Sequence, residues 1–155
     1  DIWVTEDGLK WTEVASTTPW SPRYDHAVSE FQGKLWYSGG VGLDGKAKSD
    51  LWVSEDGKNW TLAIQDAPWG VRHGHASLVF KDLLWVIGGL NTEEDVGRSD
   101  SWYSADGYSW HKAGDDGGWI GREDHAVLIY KDTLWLSGGM GSDWRWRNDV
   151  WRAVY

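Results

Sequence analysis

Arg23, Arg72 and Arg122 each stand three residues after a tryptophan, Trp20, Trp69 and Trp119. A guanidinium carries five N–H donors in a planar fork and binds a carboxylate through two parallel hydrogen bonds. Three such groups on one face would make a local anion site on a chain of formal net charge −9. This reading makes Arg23, Arg72, Arg122, Trp20, Trp69 and Trp119 candidate ligand-binding residues. The ligand would be a small anion, an acidic peptide or an acidic sugar. The competing reading pairs each arginine with a nearby carboxylate, such as Asp25 or Asp124, and stacks it on its tryptophan.

Other chemistry finds less support. His26, His75 and His125 share one repeating position, but steps of 49 and 50 residues are far from any local metal-ligand spacing. They are expected to pack between structural units, and no metal is assigned. With no cysteine in the chain there is no disulfide and no thiolate nucleophile. Glycoside hydrolysis needs two carboxylates at a set separation. The carboxylates here mostly recur as turn residues, so none is singled out, and neither a catalytic residue nor a cofactor is expected.

The balance of 15 Lys+Arg against 24 Asp+Glu argues against a nucleic-acid partner or an anionic membrane surface. No apolar run approaches the length of a membrane-spanning helix, and nothing assigns a compartment. The segment Trp144-Arg145-Trp146-Arg147 adds two tryptophans to a loop whose counterparts, "VGLDGKAKSD" and "LNTEEDVGRSD", hold no aromatic residue. Trp144 and Trp146 are therefore expected to contact another molecule, foremost a second copy of the chain.

These residues sit on a repeat. Trp3, Trp52, Trp102 and Trp151 are spaced 49, 50 and 49 apart, and Gly39-Gly40, Gly88-Gly89 and Gly138-Gly139 keep the register. Units run at about 1–49, 50–99 and 100–148, with an extra strand over 149–155. Each unit holds four short apolar runs. The first is "DHAVSEF", "HASLVF" or "DHAVLIY", and the second is "KLWYSGG", "LLWVIGG" or "TLWLSGG". The third, "DLWVSE" or "DSWYSA", leads through Asp-Gly into the fourth, "KNWTLA" or "YSWHKA". Asp-Gly between such runs signals a hairpin. The chain is read as a single all-β domain, with the periodic tryptophans, Trp3, Trp11 and Trp36 among them, in its core.

The recurring arginine, His-Ala, Gly-Gly and later tryptophan resemble the kelch repeat over essentially the whole chain. The segment from Ser54 to Trp60 also resembles the Asp-box, a structural hairpin of sialidase propellers. The kelch resemblance implies four-stranded antiparallel blades of a β-propeller, with the loops before the first strand and after the second on the ligand face. It implies a non-catalytic binding or scaffold module. A carbohydrate-binding or acidic-sugar epimerase-like propeller is the alternative. Galactose-oxidase-like kelch chemistry needs a cysteine that this chain lacks.

Propellers hold about 4–8 blades, so three blades leave two raw flanks. Two copies would close a six-bladed ring, with Asp1, Trp3 and Trp151 joining Trp144 and Trp146 at the interface. The chain both opens and ends on a third-type strand, one strand more than three blades hold. The expectation is that the C-terminal strand of one copy meets the fourth strand, Lys10 to Val14, of the other. A fragment of a longer kelch protein remains the other possibility.

Overall fold

Along Ala27–Phe31 every second residue is buried, because successive side chains in a strand point to opposite faces. The strand turns back into Lys34–Ser38 through Gln32 and Gly33, both at positive φ (54° and 73°). The matching turns use Lys81-Asp82 and Lys131-Asp132, again with positive φ throughout. Two left-handed residues match the right-handed twist of the flanking strands, which is why such tight hairpins use them.

The computed structural model of the protein describes residues 1–114 and 116–153. These are all-β, with no helix among them, arranged as separate antiparallel sheets. The first sheet runs in the order Ala27–Phe31, Lys34–Ser38, Leu51–Ser54, Thr61–Ile64. The second runs Ala76–Phe80, Leu83–Ile87, Ser101–Ser104, Trp110–Gly114. The third holds Ala126–Tyr130, Thr133–Ser137 and Val150–Arg152. The hairpin of Ile2–Val4 and Thr12–Ala15 forms a sheet of its own.

The expectation of three four-stranded units is corrected in part. Two sheets have four strands, but the third has three, because Val150–Arg152 finds no fourth strand among the described residues. Val154 and Tyr155, the end of the extra strand expected over 149–155, lie outside the described residues. Each four-stranded sheet also straddles a repeat boundary, taking two strands from either side.

The Asp-Gly hairpins are tied by their own side chains. Ser54 Oγ accepts from the Gly57 N–H at 2.9 Å, Asp56 Oδ1 accepts from Asn59 at 2.7 Å, and Trp60 donates to the Gly57 carbonyl. Ser104, Asp106, Gly107 and Trp110 repeat the arrangement. Amide donors from Ser109 and Tyr108 hold the Asp106 carboxyl down at about 2.

Neighbouring sheets pack face to face. Phe31, Trp36, Leu51 and Val53 of the first meet Leu84 and Val86 of the second around Trp69. Ile87, Trp119 and Leu136 join the second sheet to the third. The outward face of the third sheet has no such cover. Ala27, Phe31 and Leu51 are buried, whereas their counterparts Ala126, Tyr130 and Val150 are exposed. Trp36 is in the core as expected, but Trp3 and Trp11 are 49% and 58% exposed. Their hairpin is a two-stranded sheet of its own, and these indoles are not covered by another sheet among the described residues.

Candidate functional site

The three arginines do reach equivalent places, but not as a ligand face. Arg72 grips Asp100 through both guanidinium arms at 2.9 and 3.2 Å and donates to the Gly88 and Trp69 carbonyls. Arg122 holds Asp149 in the same way and donates to the Gly138 carbonyl at 2.7 Å. Arg23 repeats the pattern with Asp50 and Gly39. Arg72 and Arg122 are 0% and 1% exposed, and the Arg23 side chain is buried too.

This overturns the anion-site expectation. The fork that suits a ligand carboxylate is filled by one from the chain. The partners are not Asp25 and Asp124 but the aspartates that open the third strands. Those aspartates also accept from the indole N–H of Trp52, Trp102 or Trp151 at 2.8 Å. Arg122, then Trp151, hold the Asp149 carboxyl well below its usual range. Burial works against the Asp100 carboxylate, but Arg72 outweighs it and keeps it low.

The tryptophans before the arginines are structural as well. Trp69 and Trp119 are buried between sheets, and Trp20 stacks on Tyr37 with ring centroids 4.2 Å apart. Two of them meet a fourth-strand tryptophan edge to face. Trp20 meets Trp60 at 5.0 Å, and Trp69 meets Trp110 at 4.3 Å. Trp119 has no such partner among the described residues. It borders a groove of about 350 Å³ with Trp85, Ala113, Leu136 and Trp151, where a fourth strand of the third sheet would lie.

Backbone bonds across the two sheet junctions repeat. Gly40 donates to the Arg72 carbonyl at 3.0 Å, and Gly89 to the Arg122 carbonyl at 2.8 Å. Ala67 donates to Ser49, and Gly117 to Ser99. His75 and His125 are buried in these junctions, and His75 shares a 2.8 Å hydrogen bond with Ser38. His26, on the open side, stacks on Tyr37.

A second cluster escaped sequence reasoning. Asp25, Gly74 and Asp124 share one repeat position, with φ of 54°, 57° and 55°. They are chained by 2.9 Å bonds, Gly74 N–H to the Asp25 carbonyl and Asp124 N–H to the Gly74 carbonyl. Just before them stand Tyr24, His73 and Glu123. His73 Nδ1 lies 3.1 Å from Glu123 Oε2 and 3.7 Å from Asp25 Oδ2. His73 is 7% exposed, and neither ring nitrogen completes a hydrogen bond among the described residues. Burial, reinforced by Asp124, Asp25 and Asp95, pushes the Glu123 carboxyl up to about 7. The available signal was a run of polar side chains directly after each arginine.

Trp144 and Trp146 are exposed on their loop rather than folded onto the sheet. Asp1, Trp3 and Trp151, also expected at an interface, lie at the exposed ends of the array.

No family model matches the sequence, and no curated protein matches it. Among solved structures the chain is similar to YjhT, with a TM-score of 0.72 and 18% identity. The match covers 90% of this chain and 45% of YjhT, so the chain spans less than half the length of that protein. The likeness is one of fold.

Proposed function

We propose that the chain is half of a kelch-type β-propeller. Two copies close a six-bladed ring that serves as a non-catalytic binding or scaffold module. The observation that carries this reading is the unpaired tryptophan at each end. Trp60 and Trp110 seat against Trp20 and Trp69, Trp119 has an empty groove, and Trp11, the counterpart of Trp60 and Trp110, is exposed. The second copy's Trp11, carried on its Thr12–Ala15 hairpin, matches that groove in type and place.

Two further features support the reading. The Gly139 N–H and the Arg147 carbonyl have no backbone hydrogen bond across a junction among the described residues, unlike their counterparts Gly89 and Arg98. The uncovered apolar flanks are also costly. At about 25 cal/mol per Å², several hundred Å² of exposed flank corresponds to on the order of 10 kcal/mol, as much as a typical domain's whole stability. Trp144 and Trp146 extend the contact surface beside the third sheet.

Light scattering at micromolar concentration tests the reading. The expected mass is about twice 17.6 kDa. A mass near 17.6 kDa at that concentration overturns it. YjhT is more than twice as long as the matched region. A longer chain would cover the same flanks with repeats of its own, and a monomeric mass for such a chain would favour that arrangement.

A further inference from the structure

We infer that the side-chain cluster of Asp25, His73, Glu123 and Asp124 binds one cationic head group, the guanidinium of an arginine side chain in a basic peptide. All four residues belong to one chain, so the inference does not rest on the ring closing.

The sign of the charge comes first. The positive groups near this end, Arg23, Arg72 and Arg122, are each bound to an aspartate of their own. Among the described residues no lysine or arginine forms an ion pair with Asp25, Glu123 or Asp124. Three carboxyl groups are thus gathered without a compensating cation, on a chain of net charge −9 whose field draws cations inward.

The second observation is His73. Its ring is buried, and Nδ1 lies 3.1 Å from Glu123 Oε2 and 3.7 Å from Asp25 Oδ2, yet neither nitrogen completes a hydrogen bond among the described residues. Buried polar groups are nearly always paired, and each exception calls for a partner. Gly74 helps the groups converge. Asp124 Oδ1 stands 2.8 Å from where a Cβ on Gly74 would project, so a side chain there would push the carboxylate away.

Among the described residues no group of three or more His, Asp and Glu is spaced to hold a metal ion. Carboxylates too spread for one small ion still suit a planar fork of five donors. A bound guanidinium also offsets the mutual repulsion of Glu123, Asp124 and Asp25 and stabilises the charged form of Glu123.

The test is calorimetric titration of the full chain at low salt with an N-acetylated Gly-Arg-Gly amide. The citrulline peptide, a neutral isostere, and calcium chloride serve as controls. The arginine peptide is expected to bind saturably and the citrulline peptide not at all. Asp124→Asn retains a residue that tolerates positive φ and is expected to weaken binding about tenfold, the loss of one charge-assisted hydrogen bond. Glu123→Gln is expected to weaken it at least as much. Amide spectra of the parent with peptide should shift Gly74 and Asp124. The inference fails if the parent shows no saturable binding, if citrulline binds equally, if Asp124→Asn binds like the parent, or if calcium displaces the peptide.

Discussion

His125 stands against Gly88, its Cε1 atom 2.6 Å from where a Cβ on that glycine would project. His75 meets Gly39 in the same way at 2.8 Å. The first strand of one sheet thus locks onto the first glycine of the preceding Gly-Gly pair. Gly138 offers a third seat, where a Cβ would meet only the Arg147 carbonyl, at 3.6 Å.

All three glycines have positive φ, so alanine brings similar backbone strain of about 1–2 kcal/mol at each. Only Gly39 and Gly88 add a clash, at Gly39 with the Arg72 carbonyl as well. Gly39→Ala and Gly88→Ala should each cost about 1–3 kcal/mol more than Gly138→Ala. Denaturant unfolding of monomeric protein checks this. Equal losses at the three positions would mean that the histidines do not lock the sheets together.

The arginine–aspartate pairs make a second prediction. Arg72→Ala strips the partly buried Asp100 carboxylate of its guanidinium partner and leaves it the indole N–H of Trp102. Breaking a buried pair from one side costs about 3–5 kcal/mol. A fall in melting temperature of several degrees is expected. An exposed anion-binding arginine would instead give nearly unchanged melting.

The buried histidines set an acid limit. Burial first, and then Arg72, press His75 down to about 3, and burial with Arg122 presses His125 to about 4. Both groups therefore bind protons more readily in the unfolded chain, with an unfolded value of 6.5. Their contribution is complete above pH 6.5 and is lost as pH falls toward 4 and then 3. Glu123 acts oppositely, because its contribution is present below 4.5 and is lost as pH rises through about 7. Each tenfold difference in proton affinity between the folded and unfolded chain corresponds to about 1.4 kcal/mol. Two histidines outweigh one carboxyl, so stability should peak near pH 6.5 and fall by a few kcal/mol toward pH 4. Urea midpoints measured across this range check the sign, and a flat profile between pH 6.5 and 4 would contradict it.

The strands were legible because each depends on local pattern. Alternation marks Ala27–Phe31, and the turn at Asp56-Gly57 closes the hairpin that follows Leu51–Ser54. The turns at Lys81-Asp82 and Lys131-Asp132 were less visible, since neither contains glycine, yet both adopt positive φ. The partners of the arginines are not legible for a different reason. Spacing places Arg23, Arg72 and Arg122 in equivalent positions, but it does not say which carboxylate reaches them. Asp50, Asp100 and Asp149 lie 27 or 28 residues downstream, and only the fold brings them within hydrogen-bond distance. Burial of His73 and Glu123 likewise depends on the junctions between sheets, which no single repeat encodes.

Trp11 and Trp110 occupy the same repeat position in opposite surroundings, which gives the last prediction. Trp110 is partly buried against Trp69, while Trp11 is 58% exposed on a hairpin outside the main sheets. Trp110→Ala should cost the fold about 3–5 kcal/mol by emptying a packed position. Trp11→Ala removes no comparable contact within its own chain and should barely change monomer melting. If the second copy's Trp11 fills the groove beside Trp119, its loss should raise the dimer dissociation constant by about tenfold or more, the equivalent of burying one aromatic side chain. Trp119→Phe should weaken association in the same direction while keeping most of the core filled. Sedimentation equilibrium of the variants reads the constants directly. An unchanged constant for Trp11→Ala, or a melting loss as large as that of Trp110→Ala, would place the indole elsewhere.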